Sequence, residues 1–156
     1  MHQKTLWGER VVGAPYPFRV ADLAKLPDDI YTYEVVEGEL IRILGSGIEA
    51  SEIAALLIHF LLSFVLPGKL GRVTSSDGTF DLTRPGDPLD TALVPDVAFV
   101  AAGRLVGRVP GYGKLAPDLV AEVASPNQYR PEMNAKARLY LERGVRLVWV
   151  LWPSRQ

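Results

Sequence analysis

Cysteine is absent from all 156 residues. That excludes disulfides, thiolate metal sites and a cysteine nucleophile, and it leads us to expect a cytoplasmic protein, since disulfides mark oxidising compartments. Histidine is nearly as scarce, with two in the chain. His59, set inside an apolar stretch, reads as a core or edge histidine, because one histidine does not make a zinc site. Charge of one sign is missing too: the net charge is −1. Such a balance argues against nonspecific coating of nucleic acid and leaves room for a local basic face. Long apolar runs are also lacking. Met1 to Gly13 mixes Lys4, Glu9 and Arg10 with a few apolar residues, so it is not a signal peptide. Ile53 to Leu66 is interrupted by His59 and Ser63 and stops at Pro67-Gly68, short of the roughly 20 residues that cross a bilayer. It is expected to be a buried helix, with no membrane partner.

What is present fits one globular domain. A hydrophobic fraction of 48% and a charged fraction of 22% permit a sizeable core and exclude wholesale disorder. The length suits a single domain, 1–156, with 1–17 as an N-terminal extension and the core at about 18–153. A short helix is predicted over Val20 to Leu26, ended by Pro27, followed by a hairpin of Tyr31 to Val36 and Glu39 to Leu44 around Glu37-Gly38. Ser51 is the expected cap of the apolar helix. Strands are predicted at Arg72 to Ser75, Thr79 to Thr83, Leu93 to Val100, Leu119 to Ala124 and Val145 to Leu151, the last interior because it hardly alternates. Pro131 and Gly144 bracket a second helix. The order predicts an α/β or α+β fold with a mixed central β-sheet flanked by helices.

Two carboxylates intrude on apolar strand runs: Glu122 in Asp118-Leu119-Val120-Ala121-Glu122-Val123 and Asp96 in Pro95-Asp96-Val97-Ala98-Phe99-Val100. Burying an unpartnered carboxylate costs several kcal/mol, about as much as a small domain's whole stability. If the two strands pair, the two side chains approach within about 5 Å at Cβ, close enough to share a hard divalent cation such as magnesium, which prefers oxygen ligands. Such a cation polarises a phosphoryl oxygen and acidifies water.

These stretches, with Tyr33-Glu34-Val35-Val36-Glu37-Gly38-Glu39-Leu40, Ser125-Pro126, and Lys136 followed by Tyr140, Gly144-Val145 and Trp149, resemble the widespread bacterial restriction endonuclease-like family of the PD-(D/E)XK nuclease superfamily. The resemblance runs from about Phe18 to Pro153. It implies a restriction-endonuclease-like core and a metal-dependent endonuclease, with Mg2+ or Mn2+ held by Asp96 and Glu122, hydrolysing phosphodiester bonds, DNA being the expected partner. Three departures mark this chain. Ala124 stands where the superfamily places a lysine two residues after the second carboxylate, and Lys136 matches a position supplied from the next helix instead. Ala50 falls where many relatives carry histidine. The chain ends at Gln156, soon after Trp152 in a place where relatives show aspartate, without the later strands of many relatives.

The expected site is therefore Asp96, Glu122, Lys136 and Glu34, with Lys136 acting on the attacking water or the charge developing on phosphate and Glu34 completing the acidic cluster. Each has a plainer rival. Asp96 can bond nearby amides at a strand start, Glu122 can pair with Arg146, Lys136 can be a solvated helix residue, against which its neighbours Met133, Ala137 and Tyr140 set it at the margin of the buried face, and Glu34 can belong to a solvated turn. Tyr140 is read as packing. The glycine-rich loop from Gly103 to Pro117, with Arg104, Arg108, Tyr112 and Lys114, can follow a nucleic-acid backbone but reads better as a mobile surface loop. The alternatives to a nuclease are a noncatalytic interaction domain that keeps the fold and a metal-free nucleic-acid-binding module. A homodimer is expected from the habit of related folds to cut two strands with two copies.

Overall fold

The computed structural model describes residues 7–153, so the expectation for Met1 to Leu6 lies outside the described residues. Among the described residues nine strands and two α-helices follow in the order β1 (Glu9–Arg10), β2 (Tyr31–Val36), β3 (Glu39–Leu44), α1 (Ile48–Gly68), β4 (Gly71–Thr74), β5 (Phe80–Asp81), β6 (Ala92–Leu93), β7 (Val97–Ala101), β8 (Leu119–Val123), α2 (Arg130–Glu142) and β9 (Leu147–Leu151), with a 3-10 helix over Val20–Lys25. Two sheets form. One is antiparallel, in the order β1-β3-β2-β6-β5, and the other is mixed, β4-β7-β8-β9, with β8 and β9 parallel. The mixed sheet expected from sequence is the second of these.

The β2–β3 hairpin holds the expected register, Val36 opposite Glu39. Glu37 and Gly38 both take positive φ, 49° and 78°, the backbone that a two-residue turn needs to match the strands' twist. The run Leu93 to Val100, expected as one strand, is two. Proline has no N–H to give a ladder, and around Pro95 the chain leaves the antiparallel sheet after β6 and enters the mixed sheet at β7. Asp96 therefore sits at the crossing between the sheets. The segment before Phe18 also joins the core, since β1 pairs with β3 and Trp7 is buried in the main apolar cluster.

Alternation gives the mixed sheet two different faces. Ala98, Val100, Val120 and Ala124 pack with Met133, Leu139 and Tyr140 of α2. The opposite face, with Val97 and Ala121 fully buried, lies under α1, which packs on β4, β7 and β8.

Three expectations about these elements are corrected. Helix α1 starts at Ile48 after Gly47 rather than behind a Ser51 cap, and closes with Lys69 in the left-handed region and the Leu70 N–H on the Val65 carbonyl. It is 21 residues long, and by length and composition it could cross a membrane. It is not a buried helix: Ala50 and Val65 are its buried residues, while Leu56, Phe60 and Phe64 stand in solvent. Apolar residues encircle α1, and one sheet face covers only one side of such a helix. Strand β9 is an edge strand rather than an interior one, paired with β8 alone. Its lack of alternation reflects a second apolar face, Leu147 and Trp149, that nothing in the described residues fully covers.

Candidate active site

Four elements converge on one cleft of about 260 Å³, whose lining includes Trp7, Asp77, Asp96, Glu122, Gln128 and Lys136. Pairing of Val97 with Ala121 sets Asp96 beside Glu122 across the β7–β8 ladder. Glu34 arrives from the other sheet, on the central strand β2. Lys136 descends from α2, where it shares a face with Met133 and Tyr140.

The lysine is the hub. It is 3% exposed, at the centre of the buried face rather than its margin, and its Nζ lies 2.9 Å from Glu122 Oε1 and 3.1 Å from Glu34 Oε1. Burying an ammonium is tolerable only with such compensation. Glu34 is fully engaged: Oε1 also accepts the Val94 N–H at 2.8 Å, and Oε2 accepts the Trp7 indole N–H at 2.6 Å. It is completely buried, not part of a solvated turn. Glu122 Oε1 also accepts the Tyr140 hydroxyl at 2.8 Å. Tyr140 thus does more than pack. Arg146 does not pair with Glu122; it lies 3.6 Å from Asp118, which also binds Arg104 at 2.5 Å.

Asp96 combines both of its readings. Its Oδ2 accepts the Val123 N–H at 2.7 Å, as a strand-start aspartate does, and the residue lines the cleft. Among the described residues no donor is bonded to Asp96 Oδ1 or Glu122 Oε2.

Burial pushes the Glu122 carboxyl up to about 7, against the pull of the Lys136 ammonium, with Asp96 and Glu34 adding to the rise. Burial likewise raises Asp96, opposed by the Val123 N–H and Lys136. For Lys136, desolvation favours the neutral amine, but the Glu122 and Glu34 charges outweigh it and hold the lysine above its usual range. The Tyr140 phenol is raised by burial and by Glu122, so it keeps its proton as the donor. Three carboxyls face one ammonium. The surplus negative charge is what a cation would neutralise.

Among the described residues no three or more histidine, cysteine, aspartate or glutamate side chains form a ready metal cage. Magnesium does not need one: it is commonly held by one or two carboxylates, with water and substrate phosphate completing its shell. Asp96 and Glu122, with their two unbonded oxygens on one cleft, fit that requirement. His59 is exposed on α1, away from this cleft.

The loop from Gly103 to Pro117 is tied down. Arg72 donates to the Gly107 carbonyl at 2.6 Å, Arg104 to the Ala116 carbonyl at 2.9 Å, and Gly113 bridges to Phe80. Sequence reasoning missed Trp7 entirely, because nothing local ties it to a residue 27 positions later. The part played by Tyr140 was within reach: one helical turn after Lys136, it had to meet whatever the lysine met.

Two sheets thus meet at an acidic cleft with a buried lysine in an α+β architecture. A crystal structure described as a putative nuclease belonging to DUF820 from Anabaena variabilis ATCC 29413 shares this fold, with a TM-score of 0.69 at 24% identity over 88% of this chain and 75% of that one. Residues 20–156 match the family Uma2, described as "Putative restriction endonuclease". The chain belongs to that family. Among curated proteins, none matches it.

Proposed function

We propose that this protein is a metal-dependent endonuclease of the PD-(D/E)XK type that hydrolyses phosphodiester bonds in DNA. The observation that carries the reading is Lys136, buried and clamped between Glu34 and Glu122 in the cleft that Asp96 lines. A purely structural core seldom gathers three carboxyls around one lysine beside an open cleft. Asp96 and Glu122 would hold Mg2+ or Mn2+, which when bound supplies a Lewis acid for the phosphoryl oxygen and acidifies water.

The other residues act on position and charge. Glu34, with both oxygens committed, fixes the lysine rather than offering a second metal seat. Lys136 presents a permanent positive charge to the phosphate as negative charge develops there. Tyr140 orients the Glu122 carboxylate by bonding Oε1, leaving Oε2 toward the cleft. Trp7 anchors Glu34 and lies under the ammonium, its ring centroid 5.5 Å from Nζ. DNA as substrate rests on the family's description as a restriction endonuclease.

The test is cleavage of plasmid, single-stranded and branched DNA with and without magnesium or manganese, alongside calorimetric metal titration. Asp96→Ala and Glu122→Ala are each expected to lose cleavage to background and most metal affinity, and calcium to bind while supporting little turnover. Wild-type cleavage by either purified variant would sink the shared-metal reading. Metal binding without cleavage on any substrate points to a noncatalytic interaction domain, and DNA binding without metal affinity to a metal-free binder.

A further inference from the structure

We infer that the exposed face of α1 is a self-association surface, on which a second copy of this chain packs its own α1 antiparallel across a twofold axis near Phe60. The inference does not rest on the nuclease reading. Exposed residues recur along α1 at Glu49, Glu52, Leu56, Phe60 and Phe64, at steps of three or four that place them in one stripe. Phe60 and Phe64 are 66% and 73% exposed. At roughly 200 Å² for an aromatic side chain, each leaves about 130 Å² or more in water. With Leu56 the patch reaches the roughly 300–600 Å² that is the most a monomer usually shows. Leu147 and Trp149 of β9 add exposed apolar surface. Their register opposite Leu119 and Ala121 puts them on the α1 side of the sheet. Counted on two copies, helix stripe and strand edge together approach the roughly 1,200–2,000 Å² of a specific interface.

Charge selects the occupant and its direction. Helix α1 has Glu49 and Glu52 at its start and no lysine or arginine along its length, while Lys69 follows at its end. About a twofold axis at Phe60, Leu56 faces the partner's Phe64, and Glu52 faces the partner's Gly68, next to Lys69 at the helix end. The antiparallel arrangement also opposes the helix dipoles. An isologous interface repeats each of these contacts. A membrane surface fits less well, because helices that lie on anionic bilayers carry lysine and arginine beside their apolar face, and α1 carries glutamates there.

Sedimentation velocity of the full chain over a concentration series tests this. The wild type is expected to be a dimer. Phe60→Glu, a change at an exposed site that leaves the fold intact by circular dichroism, is expected to weaken dimerisation at least about 100-fold, because two carboxylates meet at the axis. Lys69→Glu alone is expected to weaken it severalfold, and Glu52→Lys combined with Lys69→Glu to restore it. A monomeric wild type overturns the inference, whether or not it pellets with phosphatidylcholine–phosphatidylglycerol vesicles. So does a dimer that Phe60→Glu leaves intact, since its interface must lie elsewhere.

Discussion

Helix α2 has five charged residues in 13 and buries one of them, Lys136, whereas α1 has two in 21 and leaves two phenylalanines in water. Composition alone ranks the two helices the other way round. What decides burial is the surface each helix meets. Helix α2 lands where two strands from two sheets present Glu34 and Glu122, so its lysine exchanges hydration for two carboxylates at hydrogen-bond distance. Helix α1 meets one apolar sheet face and has more apolar circumference than that face can cover. The consequence is a division of labour in which the polar helix builds the interior of the site and the apolar helix supplies the outer surface.

The comparison breaks first at Lys136. Lys136→Met leaves Glu34 and Glu122 facing each other without their cation, and removing one member of a buried ion cluster costs about 3–5 kcal/mol. Urea unfolding at neutral pH should show that loss, and the cleavage assay a loss of turnover. Unchanged stability would mean that the lysine is solvated after all.

Glu122 sharpens it next. Its carboxyl, pushed up to about 7 in the folded chain from an ordinary value of 4.5, binds a proton more tightly folded than unfolded. Its contribution to stability is therefore fully present below about pH 4.5 and is lost as pH rises through 7. Glu122→Gln, which keeps an acceptor for Lys136 and Tyr140, is expected to match the wild type near pH 5 and to exceed it at pH 8 by about 2–3 kcal/mol in metal-free buffer. The quantity to follow is the difference between the two pH–stability curves, because Asp87 and Asp118, held below their usual range in the fold, bend both curves in the opposite sense. The same variant should lose most of the stabilisation that millimolar magnesium gives the wild type. Parallel curves would mean that Glu122 does not exchange its proton in this range.

Smaller effects follow. Tyr140→Phe removes the hydroxyl that donates to Glu122 and should cost about 1–2 kcal/mol in thermal unfolding. On the other helix, Phe64→Gln placed in the Phe60→Glu background should change stability by no more than about 0.5 kcal/mol, as exposed positions do. A loss of several kcal/mol there would show that α1 is buried in the monomer.

The sequence carried the hairpin, the second helix and the pairing of the two carboxylate strands, because each rests on local chemistry: turn residues, a first-turn proline, apolar runs. It misjudged what depends on neighbours distant in the chain. Pro95 was visible, yet the run around it read as one strand, since only the second sheet reveals where the chain goes after the break. The apolar helix and the last strand read as buried because apolar content is visible in sequence and the cover over it is not. Asp96, Glu122 and Lys136 stood out through their apolar surroundings and through motif order. The commitment of Glu34 to the lysine required a contact across 102 residues, from position 34 to position 136, that no periodicity encodes.

The crossing at Pro95 has a consequence for how the molecule comes into being. Glu34 belongs to one sheet, Glu122 to the other, and Lys136 to a helix that follows both, so neither sheet holds a charge-balanced site on its own. Until they dock, the carboxylates and the lysine remain hydrated and apart. Non-local contacts of this kind cost closure entropy before they are repaid, so the cluster is expected to assemble late in folding. The cleft is therefore a record of completed folding. A nascent chain, or one partly unfolded by heat or by a mutation far from the cleft, loses the cluster as a unit, and a binding signal from the cleft would report the integrity of the whole domain.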